Sequence, residues 1–296
     1  MMTSVVIVGG TGQLGTELLR LDWGADVKLL APTRSELDLG APDTVRDWFA
    51  ANPVDAIICT AAYTAVDRAQ DDTAAAFAAN AYGPAALADI ARNADIPLLH
   101  VSTDYVFSGA GDGFYHEEDP VGPLSVYGAS KLAGEYAVLL GNPRSIVVRT
   151  AWVLSAHGNN FLKTMRRLSQ TRSEVSVVAD QIGCPTSAAD IAAAIRVIID
   201  AHLADRNAPC GVYHFVNAGA ATWCELAAAI FALDGSATRA VPIPTSGYPT
   251  PAPRPANSRL STAKVKRDFG VVPRPWHDAV SDIVCELRHD EKKERL

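Results

Sequence analysis

The sequence lacks a cysteine framework. Its five cysteines, Cys59, Cys184, Cys210, Cys224 and Cys285, are odd in number, scattered along 296 residues and never spaced as C-x-x-C. This pattern argues against a disulfide-stapled fold and against a structural zinc site, so most of these thiols are predicted to be small packing residues. The seven histidines are also dispersed. The sequence therefore gives no reason to assign a metal site.

Long apolar runs and an excess of basic residues are also missing. No uninterrupted hydrophobic stretch approaches the length that spans a bilayer, and no basic segment with a signal-type apolar region precedes the first strand-like run. A cytoplasmic location is therefore expected. The formal net charge of −7 gives no reason to expect a nucleic-acid or membrane partner, and neither is predicted.

Most of the chain alternates short apolar runs with alanine-rich stretches of helical spacing. The predicted strands are 4–8, 27–31, 56–60, 98–102, 145–150 and 212–216, and the predicted helices are 13–20, 43–51, 74–94, 125–140, 187–203, 261–269 and 276–288. Near-continuous apolar strands between helices imply a parallel sheet covered on both faces. The predicted fold class is therefore α/β, a Rossmann-type doubly wound parallel sheet with a smaller C-terminal substrate-binding lobe.

The lobe is placed by a change of composition near residue 235. Six prolines fall within positions 242–255, and a segment so rich in proline is not expected to form a helix or a central strand. We predict an irregular loop there, with a flexible linker as the alternative. The dinucleotide-binding domain is assigned to 1–151, with 187–232 returning to it, and the substrate-binding lobe to 152–186 and 233–296.

A glycine-rich turn joins the first predicted strand to the first predicted helix. Gly10, Gly12 and Gly15 satisfy G-x-G-x-x-G, and Gly9 begins an overlapping G-x-x-G-x-x-G. Small residues let the backbone approach a pyrophosphate, whose charge is stabilised by unpaired amides at the helix N-terminus. A purely structural turn is the alternative. The residues predicted to bind a dinucleotide here are Gly9, Gly12, Gln13 and Leu14.

The end of the second predicted strand bears on which nicotinamide cofactor is bound. An acidic residue there would bind the ribose 2′-hydroxyl of NAD, but the chain has Thr33 and Arg34. An arginine accommodates a 2′-phosphate, which favours NADPH. Use of NADH stays open because Asp38, followed by Leu39, lies only a few residues further on.

Two further strand ends carry candidate site residues. Ala61 and Ala62, before Tyr63, are small enough to let a cofactor ribose or adenine pass close to the backbone. The fourth predicted strand ends at Ser102 and Thr103. Ligands of open parallel sheets bind beyond the carboxyl ends of the strands, so both hydroxyls are predicted to lie near a substrate oxygen.

Tyr127 and Lys131 stand four residues apart in a predicted helix, so both side chains lie on one helical face. An ammonium beneath a phenol favours the ionised form and would lower a pKa that is ordinarily about 10. The pair therefore predicts proton exchange with a carbonyl or alcohol during nicotinamide chemistry. An isolated Y-x-x-x-K match is also compatible with a surface pair, and the glycine turn is what favours the catalytic interpretation.

Together these residues resemble the extended short-chain dehydrogenases/reductases, and within that superfamily the family of dTDP-4-dehydrorhamnose reductases. The resemblance covers nearly the whole chain. Its segments are TGQLG at 11–15, AAYTAVD at 61–67, STDYVF at 102–107, YGASKLAGE at 127–135, RTAW at 149–152, DQIGCPT at 180–186 and RPANS at 254–258. The glycines and Y-x-x-x-K are common to the superfamily, and the last three segments favour this family.

The resemblance implies that Tyr127 donates a proton, that Lys131 binds the nicotinamide ribose and tunes Tyr127, and that Thr103 polarises the carbonyl oxygen. It also implies that Asp104, Tyr105 and Trp152 line a sugar pocket, that Arg254 is a candidate partner of the nucleotide diphosphate, and that Asn80 could help hold a proton-relay water. The implied reaction is NADPH-dependent reduction of the C4 ketone of dTDP-4-dehydro-L-rhamnose to dTDP-L-rhamnose, the last step of dTDP-rhamnose biosynthesis.

One departure from the family concerns magnesium. Some members bind it at a dimer interface, using a glutamate that matches Glu17 and a second acid shortly after the G-x-P-T segment. Here the corresponding stretch is Thr-Ser-Ala-Ala-Asp at 186–190, with alanine aligned to that acid. A magnesium-bridged dimer is therefore doubtful, and a monomer or a homodimer without a bridging metal is expected.

Two alternative functions stay open. A nucleotide-sugar epimerase or dehydratase would use the same fold and the same tyrosine and lysine, but would retain NAD tightly through its cycle. A non-catalytic regulatory subunit, related to the partner of methionine adenosyltransferase, would keep the fold without the activity. The joint presence of Thr103, Tyr127 and Lys131 favours an enzyme.

Overall fold

A computed structural model describes residues 2–293 of the chain. The strands are β1 (Thr3–Val8), β2 (Val27–Leu30), β3 (Ala56–Cys59), β4 (Leu98–Thr103), β5 (Ser145–Thr150), β6 (Val153–Leu154), β7 (Glu174–Val178), β8 (Ile182–Gly183), β9 (Thr186–Ser187), β10 (Gly211–His214), β11 (Ala221–Thr222), β12 (Arg239–Ile243) and β13 (Asn257–Ser258). The helices are α1 (Gln13–Arg20), α2 (Pro42–Ala51), α3 (Thr73–Phe77), α4 (Gly83–Ala94), α5 (Val126–Gly141), α6 (Phe161–Ser169), α7 (Ala188–Ala204), α8 (Trp223–Leu233), α9 (Ala263–Phe269) and α10 (Trp276–Lys293). Residues 294–296 of the predicted lobe lie outside the described part.

The central sheet has six parallel strands in the order β2-β1-β3-β4-β5-β10. Because β1 lies between β2 and β3, the chain changes direction across the sheet at β1, and this switch point is where doubly wound sheets open a ligand crevice. The glycine turn follows β1, and Thr103 ends β4 at the same edge. The predicted α/β fold class is confirmed.

Apolar side chains cover both faces of this sheet. On β1, Val5 and Ile7 pack into one core cluster while Val6 and Val8 pack into another, and all four are buried. The first cluster includes α1 and α7, and the second includes α2, α4 and α5. Strands buried on both sides explain the near-continuous apolar runs in the sequence.

The helix predicted over 74–94 is divided by one π-helical turn, Ala78–Tyr82, between α3 and α4. The cause is Pro84, which has no N–H to donate to the carbonyl of Asn80 four residues earlier. Gly83 donates instead to Ala78 O, five residues back. The turn leaves the Asn80 carbonyl facing Gly134 of α5, where a β-carbon would overlap it.

A second region packs around its own apolar cluster, formed by α6, α8, α10 and the parallel pair β7 and β12. The prediction of an irregular segment after residue 235 is wrong for β12, which contains Pro242. Arg239 N donates to Ser173 O, and Ile243 O accepts from Ala179 N, so these residues face β7. Pro242 is out of phase with them, and its missing N–H therefore costs no hydrogen bond to β7.

Helices α6 and α8 were not predicted as separate elements. Helix α8 begins with a capping box in which Thr222 and Glu225 satisfy each other's backbone amides. Its apolar face packs with α6 and α10 rather than on the six-stranded sheet. The proposed division into two domains stays a prediction, and this packing favours assigning α8 to the smaller lobe.

Among residues 2–293, no helix combines the length and hydropathy needed to cross a bilayer.

Candidate active site

A cavity of about 660 Å³ runs along the carboxyl edge of the central sheet. This volume lies within the usual range for a small-molecule site. Most of the predicted site residues line it, namely Gly9, Gly12, Gln13, Leu14, Arg34, Asp38, Leu39, Ala61, Ala62, Tyr63, Thr103, Asp104, Tyr105, Tyr127, Lys131 and Trp152. Thr33 and Arg254 are not among the lining residues.

The glycine turn closes one end of the cavity. Gly9 has a φ of +98°, and a β-carbon on Gly15 would overlap the Gly9 carbonyl. Helix α1 then begins at Gln13 with no side-chain cap and no acidic residue in its first turn. Its first amides are therefore available to an anion, and the turn fits the pyrophosphate of a dinucleotide.

The rim beyond β2 carries the residues predicted to distinguish the two nicotinamide cofactors. Arg34 is 85% exposed, and its Nε lies 3.2 Å from Asp38 Oδ2. Thr33 faces away from the cavity, since its N and Oγ1 both donate to Glu36 Oε2. An exposed guanidinium at this rim fits a 2′-phosphate, and Asp38 offers an acceptor for a 2′-hydroxyl.

Tyr127 lies at the centre of the cavity beside Thr103. The pKa of Tyr127 is raised to about 12, mainly by burial and also by the nearby Asp104 carboxylate, and a hydrogen bond with Thr103 opposes both effects. The prediction that Lys131 lowers the pKa of Tyr127 is wrong for this arrangement. The Lys131 ammonium is directed elsewhere, so Tyr127 is a neutral phenol at physiological pH.

Lys131 lines the cavity and is 2% exposed. Its Nζ donates to Val101 O at 2.8 Å and lies 3.1 Å from His100 Nε2. Burial lowers the pKa of Lys131 to about 8, with the neighbouring Cys59 and Glu135 acting in the opposite direction. The side chain is therefore still mostly an ammonium at neutral pH.

Helix α5, which carries Tyr127 and Lys131, is fixed to the sheet by a buried ion pair. Arg149 on β5 donates to both oxygens of Glu135, at 2.9 and 2.6 Å, and both side chains are at least 96% buried. Ser102 Oγ donates to the same carboxylate at 2.5 Å. Ser102 therefore holds the helix. It also lines the cavity, and its predicted place near a substrate oxygen stays a prediction.

Asn80, in the π-helical turn, fastens the loop after β3. Its Oδ1 accepts from Tyr63 N at 2.7 Å, and its Nδ2 donates to Tyr63 O and to Ser130 Oγ. The side chain is fully buried and both ends of its amide are engaged. These contacts give Asn80 a structural role and leave its side chain no free N–H for the predicted relay water.

The predicted sugar pocket is bounded by a stacked pair of indoles. Trp152 and Trp223 lie with ring centroids 3.5 Å apart and planes 10° from parallel. Trp152 has a φ of +48°, a strained conformation for a residue other than glycine, and its ring fits against Gly183, where a β-carbon would overlap it. Trp152 is therefore fixed by its neighbours rather than by local backbone preference.

Two other predicted sugar-pocket residues lie on the turn after β4. The Tyr105 ring meets Tyr127 edge to face at 5.5 Å, and burial raises the pKa of Tyr105. Burial also raises the pKa of Asp104 to about 6, against hydrogen bonds from Ser258 and Thr103 that lower it. The carboxyl group of Asp104 therefore changes its charge near pH 6.

Arg254, predicted to meet the nucleotide diphosphate, is paired with a carboxylate. Its Nη1 and Nη2 donate to the two oxygens of Asp67, at 2.6 and 2.8 Å. Ala252 N donates to Asp67 as well, so this carboxylate anchors the proline-rich segment to the loop after β3. A diphosphate bound by Arg254 would compete with Asp67 for the same guanidinium.

Several cavity residues were missed by sequence reasoning. Gly158 and Asn159 reach the cavity from the loop before α6, which is held over the glycine turn by a hydrogen bond from Asn160 Nδ2 to Gln13 Oε1. No local motif marks that loop.

His100 contacts Lys131 and was also missed, although it does not line the cavity. It did leave a signal in the sequence, since it is a polar residue within a strand otherwise apolar at its centre.

No group of three or more His, Cys, Asp or Glu side chains in the described range could hold a metal ion. Glu17, which matches a magnesium-binding acid in some family members, accepts from Ser155 Oγ at 3.1 Å and pairs with Arg20 at 3.3 Å. The stretch aligned with the second acid begins α7 with Ala188 and Ala189.

The comparisons with known proteins agree with one another. The family described as RmlD substrate binding domain matches residues 2–289. A dTDP-4-dehydrorhamnose reductase from Sinorhizobium fredii is 41% identical over 288 residues, covering 96% of this chain and 97% of that protein.

Two crystal structures are similar over nearly the whole chain. A dTDP-4-dehydrorhamnose reductase ortholog from Clostridium acetobutylicum has a TM-score of 0.92 at 34% identity, covering 97% of this chain and 100% of that one. A dTDP-4-dehydrorhamnose reductase from Bacillus anthracis, in complex with NADP, has a TM-score of 0.90 at 33% identity, with coverage of 97% and 100%.

Proposed function

The chain belongs to the RmlD substrate binding domain family, and on that premise we propose that it is an NADPH-dependent reductase of the C4 ketone of dTDP-4-dehydro-L-rhamnose. The product is dTDP-L-rhamnose, and the reaction is the last step of dTDP-rhamnose biosynthesis. The observation that carries the proposal is the convergence of Thr103, Tyr127 and Lys131 in one cavity with the glycine turn. NADH remains a possible second cofactor because Asp38 faces the same rim as Arg34.

The bound nicotinamide supplies the hydride that reduces the ketone. The residues that would hold the cofactor line the end of the cavity closed by the glycine turn. The amides of Gly12 and Gln13 would face its pyrophosphate, Arg34 would meet the 2′-phosphate, and Ala61 would leave room for the adenosine half. Lys131 would bind the nicotinamide ribose through its ammonium.

Tyr127 acts as the proton donor. With a pKa raised to about 12, its phenol is protonated at neutral pH and is ready to donate. An alkoxide is more basic than a phenolate, so the proton passes to the sugar oxygen as that oxygen gains charge. The Thr103 hydroxyl, which donates to Asp104 Oδ1 at 3.0 Å in this structure, would donate to the ketone oxygen instead when the sugar binds. It would then polarise that oxygen beside the Tyr127 phenol.

The sugar nucleotide occupies the other end of the cavity. The indole face of Trp152 packs against the deoxysugar ring, with Asp104 and Tyr105 beside it. Arg254 exchanges one or both contacts with Asp67 for the diphosphate. We further propose a cytoplasmic protein, supported by the use of two soluble nucleotide substrates, and a monomer or a homodimer without a bridging metal, supported by Ala188 and Ala189 at the aligned acid.

The proposal is tested by the loss of reduced-nicotinamide absorbance when dTDP-4-dehydro-L-rhamnose is generated from dTDP-glucose by the two preceding enzymes. We expect turnover with NADPH that Tyr127→Phe abolishes without weakening NADPH binding. Folded protein that binds NADPH but gives no turnover would contradict the proposed substrate. NAD retained through purification, with epimerised or dehydrated product, would support the epimerase or dehydratase alternative instead.

A further inference from the structure

We infer that His100 is a positioning residue for this reaction, a neutral buried imidazole whose Nε2 holds the Lys131 ammonium in the orientation that binds the nicotinamide ribose. The inference rests on the proposed function, in which Lys131 binds that ribose. His100 does not line the cavity and touches neither reactant, so its effect passes through Lys131.

The geometry fixes the lysine from two sides. His100 lies on β4, paired in register with Cys59 of β3 and Val147 of β5, and is fully buried. Its Nε2 lies 3.1 Å from Lys131 Nζ, while Val101 O accepts from the same Nζ at 2.8 Å. An ammonium has three N–H donors, so two fixed acceptors leave one donor for a ligand in the cavity.

The same contact assigns the imidazole tautomer. An ammonium only donates hydrogen bonds, so Nε2 must be the unprotonated nitrogen and the ring proton must be on Nδ1. Burial and the adjacent charge of Lys131 hold the pKa of His100 well below its ordinary value, so the ring stays neutral. Nδ1 itself has no hydrogen-bond partner within the described residues.

An unpartnered buried nitrogen is unfavourable, and a leucine would fill this strand position without that penalty. The imidazole must therefore contribute something that leucine lacks. Within residues 2–293, the one hydrogen bond that its ring makes is the contact with Lys131, which identifies the Nε2 acceptor as that contribution.

The other titratable groups around Lys131 do not replace His100. Cys59, from β3, is a neutral thiol because burial raises its pKa to about 11, and its Sγ is directed at Ala61 O. Glu135, on the same helix, is committed to Arg149 and Ser102. Tyr127, also on α5, contacts Thr103. His100 is the side chain that accepts from Nζ.

The backbone of α5 is shaped to allow this contact. A β-carbon on Gly134 would overlap Asn80 O and stand 3.6 Å from His100 Nε2. Glycine there lets α5 lie directly on the π-helical turn and close to the imidazole. The Lys131 side chain therefore reaches His100 without leaving the cavity wall.

Three substitutions separate the acceptor from the bulk of the ring. His100→Gln puts an amide oxygen near the place of Nε2, His100→Asn carries its oxygen only as far as the level of Nδ1, and His100→Leu has no acceptor. We expect Leu and Asn to raise the NADPH dissociation constant about 10-fold, the effect of losing one hydrogen bond to a charged group. Gln should stay within about 3-fold of the unmodified protein.

The pH dependence gives a second readout that a purely structural role would not move. A neutral acceptor favours the charged form of Lys131, so its loss lowers a pKa that already stands at about 8. NADPH binding weakens as pH rises through that pKa. In His100→Leu and His100→Asn the weakening should begin about one pH unit lower, and in His100→Gln it should not move.

The measurement is a fluorescence titration of NADPH against each folded variant over a range of pH, alongside thermal unfolding. His202→Leu is the matched control, because it removes another buried histidine, on α7, whose Nε2 meets Pro209 O at 3.2 Å. The control should change thermal stability and leave NADPH affinity and its pH profile unchanged.

Equal NADPH affinity and equal pH profiles in all three His100 variants would overturn the inference, whatever their thermal stability. This failure is distinct from failure of the proposed function. Turnover of dTDP-4-dehydro-L-rhamnose with affinities insensitive to His100 would contradict only the inference. NADPH affinity that depends on His100, without turnover of that sugar, would contradict only the proposed substrate.

Discussion

The two ends of the cavity are built in different ways. The cofactor end is formed by residues close in sequence, a glycine turn between β1 and α1 and a tyrosine and lysine one helical turn apart on α5. The sugar end is formed by residues far apart, with Trp152 against Trp223 and Asp67 against Arg254. The comparison indicates that short sequence motifs supply the main groups of the cofactor end, whereas pairs of residues distant in sequence form the sugar pocket.

The comparison is tested most severely by Gly15→Ala. The added β-carbon would overlap the Gly9 carbonyl, so the turn has to move. We expect the free energy of unfolding to fall by about 3 kcal/mol and NADPH binding to be lost. Urea unfolding and an NADPH titration measure both. Gly12→Ala is the control, since its β-carbon meets only Gly9 O at 3.4 Å. Gly12→Ala should weaken NADPH binding with little change in stability. If Gly15→Ala kept its affinity for NADPH, that result would contradict this account of the turn.

Asp104, where the two ends meet, gives a pH test. Its pKa is raised from an ordinary value near 3.8 to about 6, so between these values the folded protein binds more protons than the unfolded chain. Stability from this group is present at low pH and is lost as pH rises through about 6. Asp104→Asn removes the penalty, and above about pH 6 it should stabilise the protein by about 3 kcal/mol.

The readout for Asp104 is the difference in unfolding free energy between the two proteins, measured by urea titration across this pH range. The difference isolates Asp104 from the buried histidines, which titrate in both proteins. A difference that does not change with pH would show that Asp104 is not the group that titrates.

A test confined to the sugar end is Trp152→Ala. Removing the indole takes away one wall of the pocket, and we expect kcat/KM for the sugar nucleotide to fall about 30-fold, as for loss of an aromatic anchor. NADPH affinity should stay within about 2-fold, since the two ends are built separately. Trp48→Ala, on α2 and outside the cavity lining, is the control for loss of an indole. Equal losses of cofactor and sugar binding would contradict the separation.

The smallest expected effect is that of Asp67→Asn. The change removes the charge that competes with the diphosphate for Arg254, so KM for the sugar nucleotide should fall about 3-fold, the scale of a partly exposed ion pair. Arg254→Lys should raise KM, because it loses the two-pronged contact that a guanidinium makes with phosphate. A higher KM in Asp67→Asn would mean that Asp67 orients Arg254 rather than competing for it.

The same comparison explains what sequence reasoning could predict. The six strands, the glycine turn and the Y-x-x-x-K helix follow from local periodicity and short motifs, and the structure places them as expected. The capping box of α8, Thr222 to Glu225, was also visible in the sequence but was not used. Strand β12 was missed because its proline faces away from β7, which only the pairing reveals.

Sequence reasoning did not identify several hydrogen-bond partners that no local pattern specifies. Lys131 was expected to tune Tyr127, but its ammonium is directed at His100 and Val101 on another strand. Ser102 lines the cavity, and its Oγ also donates to Glu135 on α5. Arg254 meets Asp67, which lies 187 residues away in sequence, and its contact with a diphosphate stays a prediction. Each of these side chains has several acceptors within reach, and only the folded geometry determines which acceptor it bonds.

The stacked indoles of Trp152 and Trp223 also give the molecule an optical property. Two rings with centroids 3.5 Å apart are close enough for their electronic transitions to couple, so the near-ultraviolet circular dichroism should change when either ring moves. One of these rings is the wall of the sugar pocket, and displacement of that wall changes the coupling. The protein thus carries an unlabelled spectroscopic reporter at the end of the cavity that holds no cofactor.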